Sequence, residues 1–95
     1  MSATMTTPNC DVAIMARIIQ PDRGDLPLAV ARAILKWDFR ESDHERMRDL
    51  SERANAGTLT QAELDEMDDY ERVGHLLDAM HSKARKSLKK HANGR

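Results

Sequence analysis

Gly57-Thr58-Leu59-Thr60-Gln61-Ala62-Glu63-Leu64 is the stretch whose reading decides the fold. Thr60 and Glu63 have the capping-box spacing, in which the threonine oxygen accepts from the Glu63 amide and the Glu63 carboxylate reaches back to the Thr60 amide. Leu59, just before the cap, can pack on Leu64 as a hydrophobic staple that fixes the entry angle of the chain. Gly57 can take the left-handed conformation that commonly terminates a helix. One helix therefore ends at Gly57 and another begins at Gln61, and so short a connection folds the two back on each other as an antiparallel hairpin.

Beyond Gln61 no proline interrupts the chain. Glu63, Asp65, Glu66, Asp68, Asp69 and Glu71 occupy the first half of this helix, and Lys83, Arg85, Lys86, Lys89 and Lys90 its last turns. The macrodipole favours that order, so the helix is expected to run to about Lys90. Tyr70, Val73, Leu77, Met80 and Ala84 follow the three-four spacing of a helix-packing seam, and the face they share extends to Leu88. A helix of roughly 30 residues is ~45 Å long, whereas a compact globule of about 80 residues is only ~30 Å across. The basic end is thus expected to project, to fray or to be covered by a second chain.

Towards the N-terminus, Ser42 and Glu45 also have the capping-box form, which predicts a helix from Asp43 through Met47, Leu50 and Ala54, with Glu41 outside it. From Pro27 to about Trp37 the residues are apolar nearly all round, the mark of a helix at the centre of a core, with Pro27 at its first position. Phe39 follows in a connector, where its ring is expected to cover an end of that core. Pro21 to Asp25 reads as a turn. Before it, Thr7 or Asn9 can cap a helix bearing Val12, Met15 and Ile19 on one side with Ile14 and Ile18 nearby; the branched residues leave a strand from Val12 to Ile19 as the alternative. The folded region is therefore a single helical domain over residues 9–90, with disordered tails at 1–8 and 91–95.

Composition agrees with helices. Of the 95 residues only Trp37, Phe39 and Tyr70 are aromatic and six are Met, a supply suited to helix packing and poor for sheets. A chain of this size buries only about 60% of its unfolded surface, so stability is expected to be marginal. The lone Cys10 cannot form an internal disulfide, and no secretory or membrane-spanning pattern is present; Leu26 to Leu35 is the longest apolar stretch and is interrupted by Pro27 and Arg32. A cytoplasmic protein is the expectation. The net charge of −1 conceals an asymmetry, since no acidic residue follows Asp78.

Several segments together resemble a known group. Gly57-Thr58-Leu59-Thr60-x-x-Glu63, Tyr70-x-x-Val73-Gly74-x-Leu76-Leu77 and Ser82-Lys83-Ala84-Arg85, with Phe39, Arg46-Met47 and Ala31-Arg32-Ala33-Ile34-Leu35, are similar to a group of short bacterial helical proteins of no established activity. The likeness covers about residues 12 to 90 and implies mostly fold. Genes of that group can sit beside HNH-type nucleases, which implies an accessory subunit or an antitoxin-like inhibitor of a neighbouring nuclease. This chain departs from the group at Leu26, where a serine-type cap before Pro27 is expected.

Candidate chemistry is sparse. Glu71, His75 and Asp78 share one helix face and could begin a metal site, but a solvated polar face is the simpler account. Cys10 carries no local nucleophile motif, and the glycines at 24, 57, 74 and 94 form no phosphate loop. Gly74 beside Val73 and Leu77 suggests close approach of another backbone. No metal, cofactor or catalytic residue is implied.

The expectation is an all-α protein of three or four helices ending in the hairpin with its long last helix. Its function is non-catalytic protein binding through Tyr70, Val73, Leu77, Met80, Ala84 and Leu88, the partner being a second copy (a homodimer) or another protein. The alternative is nucleic-acid binding by Lys83, Arg85, Lys86, Lys89 and Lys90, helped by Arg72.

Overall fold

The structure is a computed structural model and describes residues 10–93. Those residues form four helices and no strand: α1 (Asp11–Ile19), α2 (Leu28–Leu35), α3 (Glu41–Ala56) and α4 (Gln61–Asn93). The chain is all-α, and residues 12–19 are helix rather than strand. Thr7 and Asn9, the expected caps, lie outside the described residues, as do 1–8 and 94–95 of the expected tails; Cys10 takes the N-cap position of α1 without a side-chain hydrogen bond. The chain divides into two compact units. Among the described residues, one comprises 10–37 together with 75–93, and the other is Asp38–Gly74, so α4 contributes to both.

In the first unit, Ala31 and Ile34 of α2 bury against Ala84 of α4, and Leu26, Leu35, Met80 and Leu88 pack around them. The connection from Gln20 to Pro27 lies on α4 through polar contacts. Lys83 is only 8% exposed; its ammonium meets Asp25 at 2.6 Å and the Gln20 carbonyl at 3.4 Å. Ser87, fully buried, accepts from the Leu26 amide at 3.1 Å and donates to the Lys83 carbonyl at 2.8 Å. His91 Nε2 donates to the Leu26 carbonyl (3.1 Å), and His81 Nε2 to the Trp37 carbonyl (2.8 Å). The end of α4 is therefore held by the chain's own loop, and it stays helical to Asn93, past the expected stop at Lys90.

Three expectations for this unit are corrected. Pro27 is the N-cap of α2 rather than its first residue. α2 is not enclosed on all sides, because its cluster packs on one face of α4 alone: only Ala31 and Ile34 are buried, and Val30 and, past the helix end, Trp37 are exposed. The close backbone approach falls at Gly24 and not at Gly74. A Cβ at Gly24 would lie 2.7 Å from the carbonyl carbon and oxygen of Lys86, whereas one at Gly74 would meet nothing within 4 Å.

In the second unit the Thr60 box forms as expected, with Thr60 N donating to Glu63 Oε1 at 2.9 Å and Glu63 N to Thr60 Oγ1 at 3.1 Å. Gly57 takes φ 74 and closes α3. The Ser42 box does not form. α3 starts two residues earlier, capped by Arg40 without a side-chain bond, which places Glu41 and Ser42 inside the first turn. An acid at 41 and another at 43 suit that dipole end, and this favours the earlier start.

Pairs between α3 and α4 run in opposite order along the two helices. Tyr70 Oη donates to Asp43 at 2.7 Å. Arg46 is bidentate to Glu66, both contacts at 2.8 Å, and Arg53 is bidentate to Glu63. Leu50 is fully buried here, while Ala54, expected in its stripe, is exposed. Within this unit the ring of Phe39 meets His44 and Tyr70 edge-on, each at 5.9 Å.

Backbone hydrogen bonding by Thr60 and ion pairing with Arg53 hold Glu63 below the ordinary glutamate value of 4.5, and Arg46 does the same for Glu66. A carboxylate with a depressed folded pKa stabilises above its unfolded value and loses that contribution as pH falls through the folded one. Urea midpoints at about pH 6 and about pH 3 should therefore differ, and the gap should shrink in an Arg46→Met/Arg53→Met variant. Gly74→Ala should raise stability by about 1 kcal/mol, since it removes helix-interior glycine without a clash. Gly24→Ala should lower it by about 1–3 kcal/mol, as overpacking against backbone cannot be relieved by a rotamer change; urea unfolding measures both.

Candidate partner-binding surface

The seam read from sequence is largely used inside the chain. Tyr70 is half-buried in the second unit, its hydroxyl held by Asp43, and that hydrogen bond raises the phenol above its ordinary value of 10.0. In the first unit Ala84 is fully buried, and Met80 and Leu88 pack on the Ala31–Ile34 cluster. Leu77 is half-buried, and Val73 is the one seam residue that is substantially open, at 49%. Ala84 therefore cannot touch a partner while the unit is folded, and Met80 and Leu88 can offer only their edges.

The basic set divides as well. Lys83 is closed off by Asp25 and the Gln20 carbonyl, so it is not available to a phosphate. Hydrogen bonding to Lys83 in turn holds the Asp25 carboxyl below its ordinary value of 3.8. Arg85, Lys86, Lys89 and Lys90 are exposed, and no ion pair among the described residues engages them. Arg72 belongs to the second unit, where it pairs with Asp68 and Asp69. Glu71, His75 and Asp78 are exposed, and no three His, Cys, Asp or Glu among the described residues come together as a metal cage. Cys10 is an exposed free thiol.

The surface that sequence reasoning missed lies on α1 and α2. α1 has no buried residue. Val12, Ala16 and Ile19, at i, i+4 and i+7, are half-buried, which leaves Ile14, Met15 and Ile18 on the open side, Ile18 at 68%. On α2 the inward pair Ala31 and Ile34 leaves Val30 and Ala33 outward, and Trp37 follows them just past the helix end at 52% exposure. The signal was present in the sequence as Ile14 and Ile18 lying off the Val12–Ile19 side. Nothing in periodicity alone says which of two apolar faces will be covered.

Charge is segregated between the units. Asp38–Gly74 holds 12 Asp and Glu against 5 Arg, a balance of −7, while the described residues of the other unit hold 9 Lys and Arg against 4 Asp, a balance of +5. The exposed apolar side chains of α1 and α2 thus stand in a cationic setting. In the acidic unit, Met47, Leu50, Met67 and Tyr70 line a small depression with Ser51 and Glu71 beside them. Among the described residues no helix is long and apolar enough to cross a membrane. No protein-family model matches the chain, nor does any curated protein or solved structure.

Exposure makes the α1 surface separable from stability. Ile14→Asp/Ile18→Asp should leave the unfolding free energy from urea titration within about 1 kcal/mol of the parent, because both side chains are exposed. Leu50→Ala should cost about 2–5 kcal/mol in the same assay.

Proposed function

We propose that this chain is a non-catalytic protein-binding subunit, accessory or regulatory to its partner, whose contact surface is the open apolar side of α1 and α2. The observation that carries this reading is that α1 and α2, the two most apolar helices of the chain, leave Ile14, Met15, Ile18 and Val30 exposed, with Trp37 exposed just past the end of α2. Apolar surface concentrated in this way marks association sites, and an exposed tryptophan is the residue type most often found as an interface anchor. α4 acts as the support. Its Met80, Ala84, Lys83, Ser87 and Leu88 hold α2 and the Gln20–Pro27 connection in place. An accessory or inhibitory role of this kind is also what the resemblance noted in the sequence would imply.

The test compares tagged wild-type chain with the Ile14→Asp/Ile18→Asp variant in cells that express it. Equal folding with loss of the co-purifying protein is the expected result. Equal recovery of the same partner by both would overturn the reading.

A second reading is favoured by the four exposed cations at the end of α4, which could follow a phosphate backbone. Binding of a fluorescent DNA or RNA duplex should then fall steeply between about 50 and 200 mM salt and be lost in Lys86→Glu/Lys89→Glu/Lys90→Glu. Salt-independent binding, or none, would remove this reading.

A further inference from the structure

The partner can be specified further, on the premise that the α1–α2 surface is a contact site. A surface that is apolar and set among cations calls for a partner that is apolar and set among anions. The chain itself carries such a partner. Its Asp38–Gly74 unit has the balance of −7, exposes Leu64 and Val73, and contains the depression lined by Met47, Leu50, Met67 and Tyr70. Methionine lining adapts to the shape of an inserted ring and makes favourable sulfur–aromatic contacts. Opposite balances on the two units and a net charge of only −1 for the whole also leave little long-range repulsion between copies.

We infer that two copies associate reciprocally, the cationic unit of each meeting the acidic unit of the other, with Trp37 of one copy seated at the Met47–Met67 depression of its twin. A reciprocal exchange of this kind is an isologous contact, whereas a one-way contact of the same surfaces would join copies head to tail. Arg32 and Lys36 are exposed beside Trp37 on α2 and its C-cap. Glu71 borders the depression and Glu52 follows Ser51; both are exposed, and no ion pair among the described residues engages any of these four. They are the charges that would face one another across the pair.

Trp37 is the only tryptophan, so its emission reports the contact directly. The experiment uses the full chain and two charge-reversed variants, Arg32→Glu/Lys36→Glu and Glu52→Lys/Glu71→Lys, each checked for helix content. At low salt the wild type should sediment as a dimer, and its emission should shift to the red on about hundredfold dilution as the ring returns to water. Either variant alone juxtaposes like charges at both contacts and should self-associate at least about tenfold more weakly. Mixing the two restores opposite charge at both contacts, so the mixture should recover dimer and blue-shifted emission.

Wild type that stays monomeric, or variants that dimerise as well as wild type, would overturn the inference. So would dimerisation in which mixing rescues nothing. Failure of self-association with retained capture of a different protein by Ile14 and Ile18 would leave the α1–α2 surface standing and remove only the second copy as its partner. A charge-rescued dimer that survives Ile14→Asp/Ile18→Asp and Trp37→Ala would instead remove the apolar surface as its basis.

Discussion

Lys83 and Ser87, one helical turn apart on α4, fix where the Gln20–Pro27 connection lies, and the rest of the cationic unit depends on that placement. Apolar burial is small in this chain: among the described residues Ala31, Ile34, Leu50 and Ala84 are the buried apolar ones. Two of these are alanines, with little area to remove from water. Such a core gives cohesion without much direction. The ammonium of Lys83 between Asp25 and the Gln20 carbonyl, and the Ser87 hydroxyl between Leu26 N and the Lys83 carbonyl, supply the direction. An ammonium this far from solvent is tolerable only because its carboxylate is close and well aimed. Gly24 completes the arrangement, since any side chain there would hold the connection off the helix.

The acidic unit solves the same problem with arginine. Arg46 and Arg53 each take a glutamate of α4 in a bidentate grip, and Asp49 stands between them, at 3.1 Å from Arg46 and 3.7 Å from Arg53. The planar guanidinium fixes orientation as well as charge, which an aliphatic contact of the same area would not. Glu63 has two duties, closing the capping box and holding Arg53, so the start of α4 and its pairing with α3 are coupled through one carboxylate. These groups are partly open to water. Their value lies in register more than in energy.

The functional proposal follows from this economy of apolar side chains. Because the inward side of α2 and the Met80–Leu88 side of α4 are matched to each other, the other sides of α1 and α2 have no partner left among the described residues of their unit. Residues of the same type on a larger protein would be covered by further helices. Here the surface stays open, and the opposite charge balance of the two units gives it a candidate complement in a second copy.

Local rules were enough for much of this fold. Four helices, the turn after Pro21, Gly57 in the left-handed region, the Thr60–Glu63 box and the unbroken α4 all rest on interactions within a few residues, and a sequence states those directly. Where two local signals competed, as at Ser42 against the acids of an earlier first turn, the sequence offered no means of weighing them. Which face of each helix is covered was decided only by tertiary structure, because it depends on which surfaces meet. Hence Lys83 is closed in while Lys86 is open, Ala84 is core and not interface, and Ile18 is outside. Gly24, not Gly74, is the glycine that permits close approach, since the obstructing atoms belong to Lys86, more than sixty residues away in the chain and adjacent only after folding.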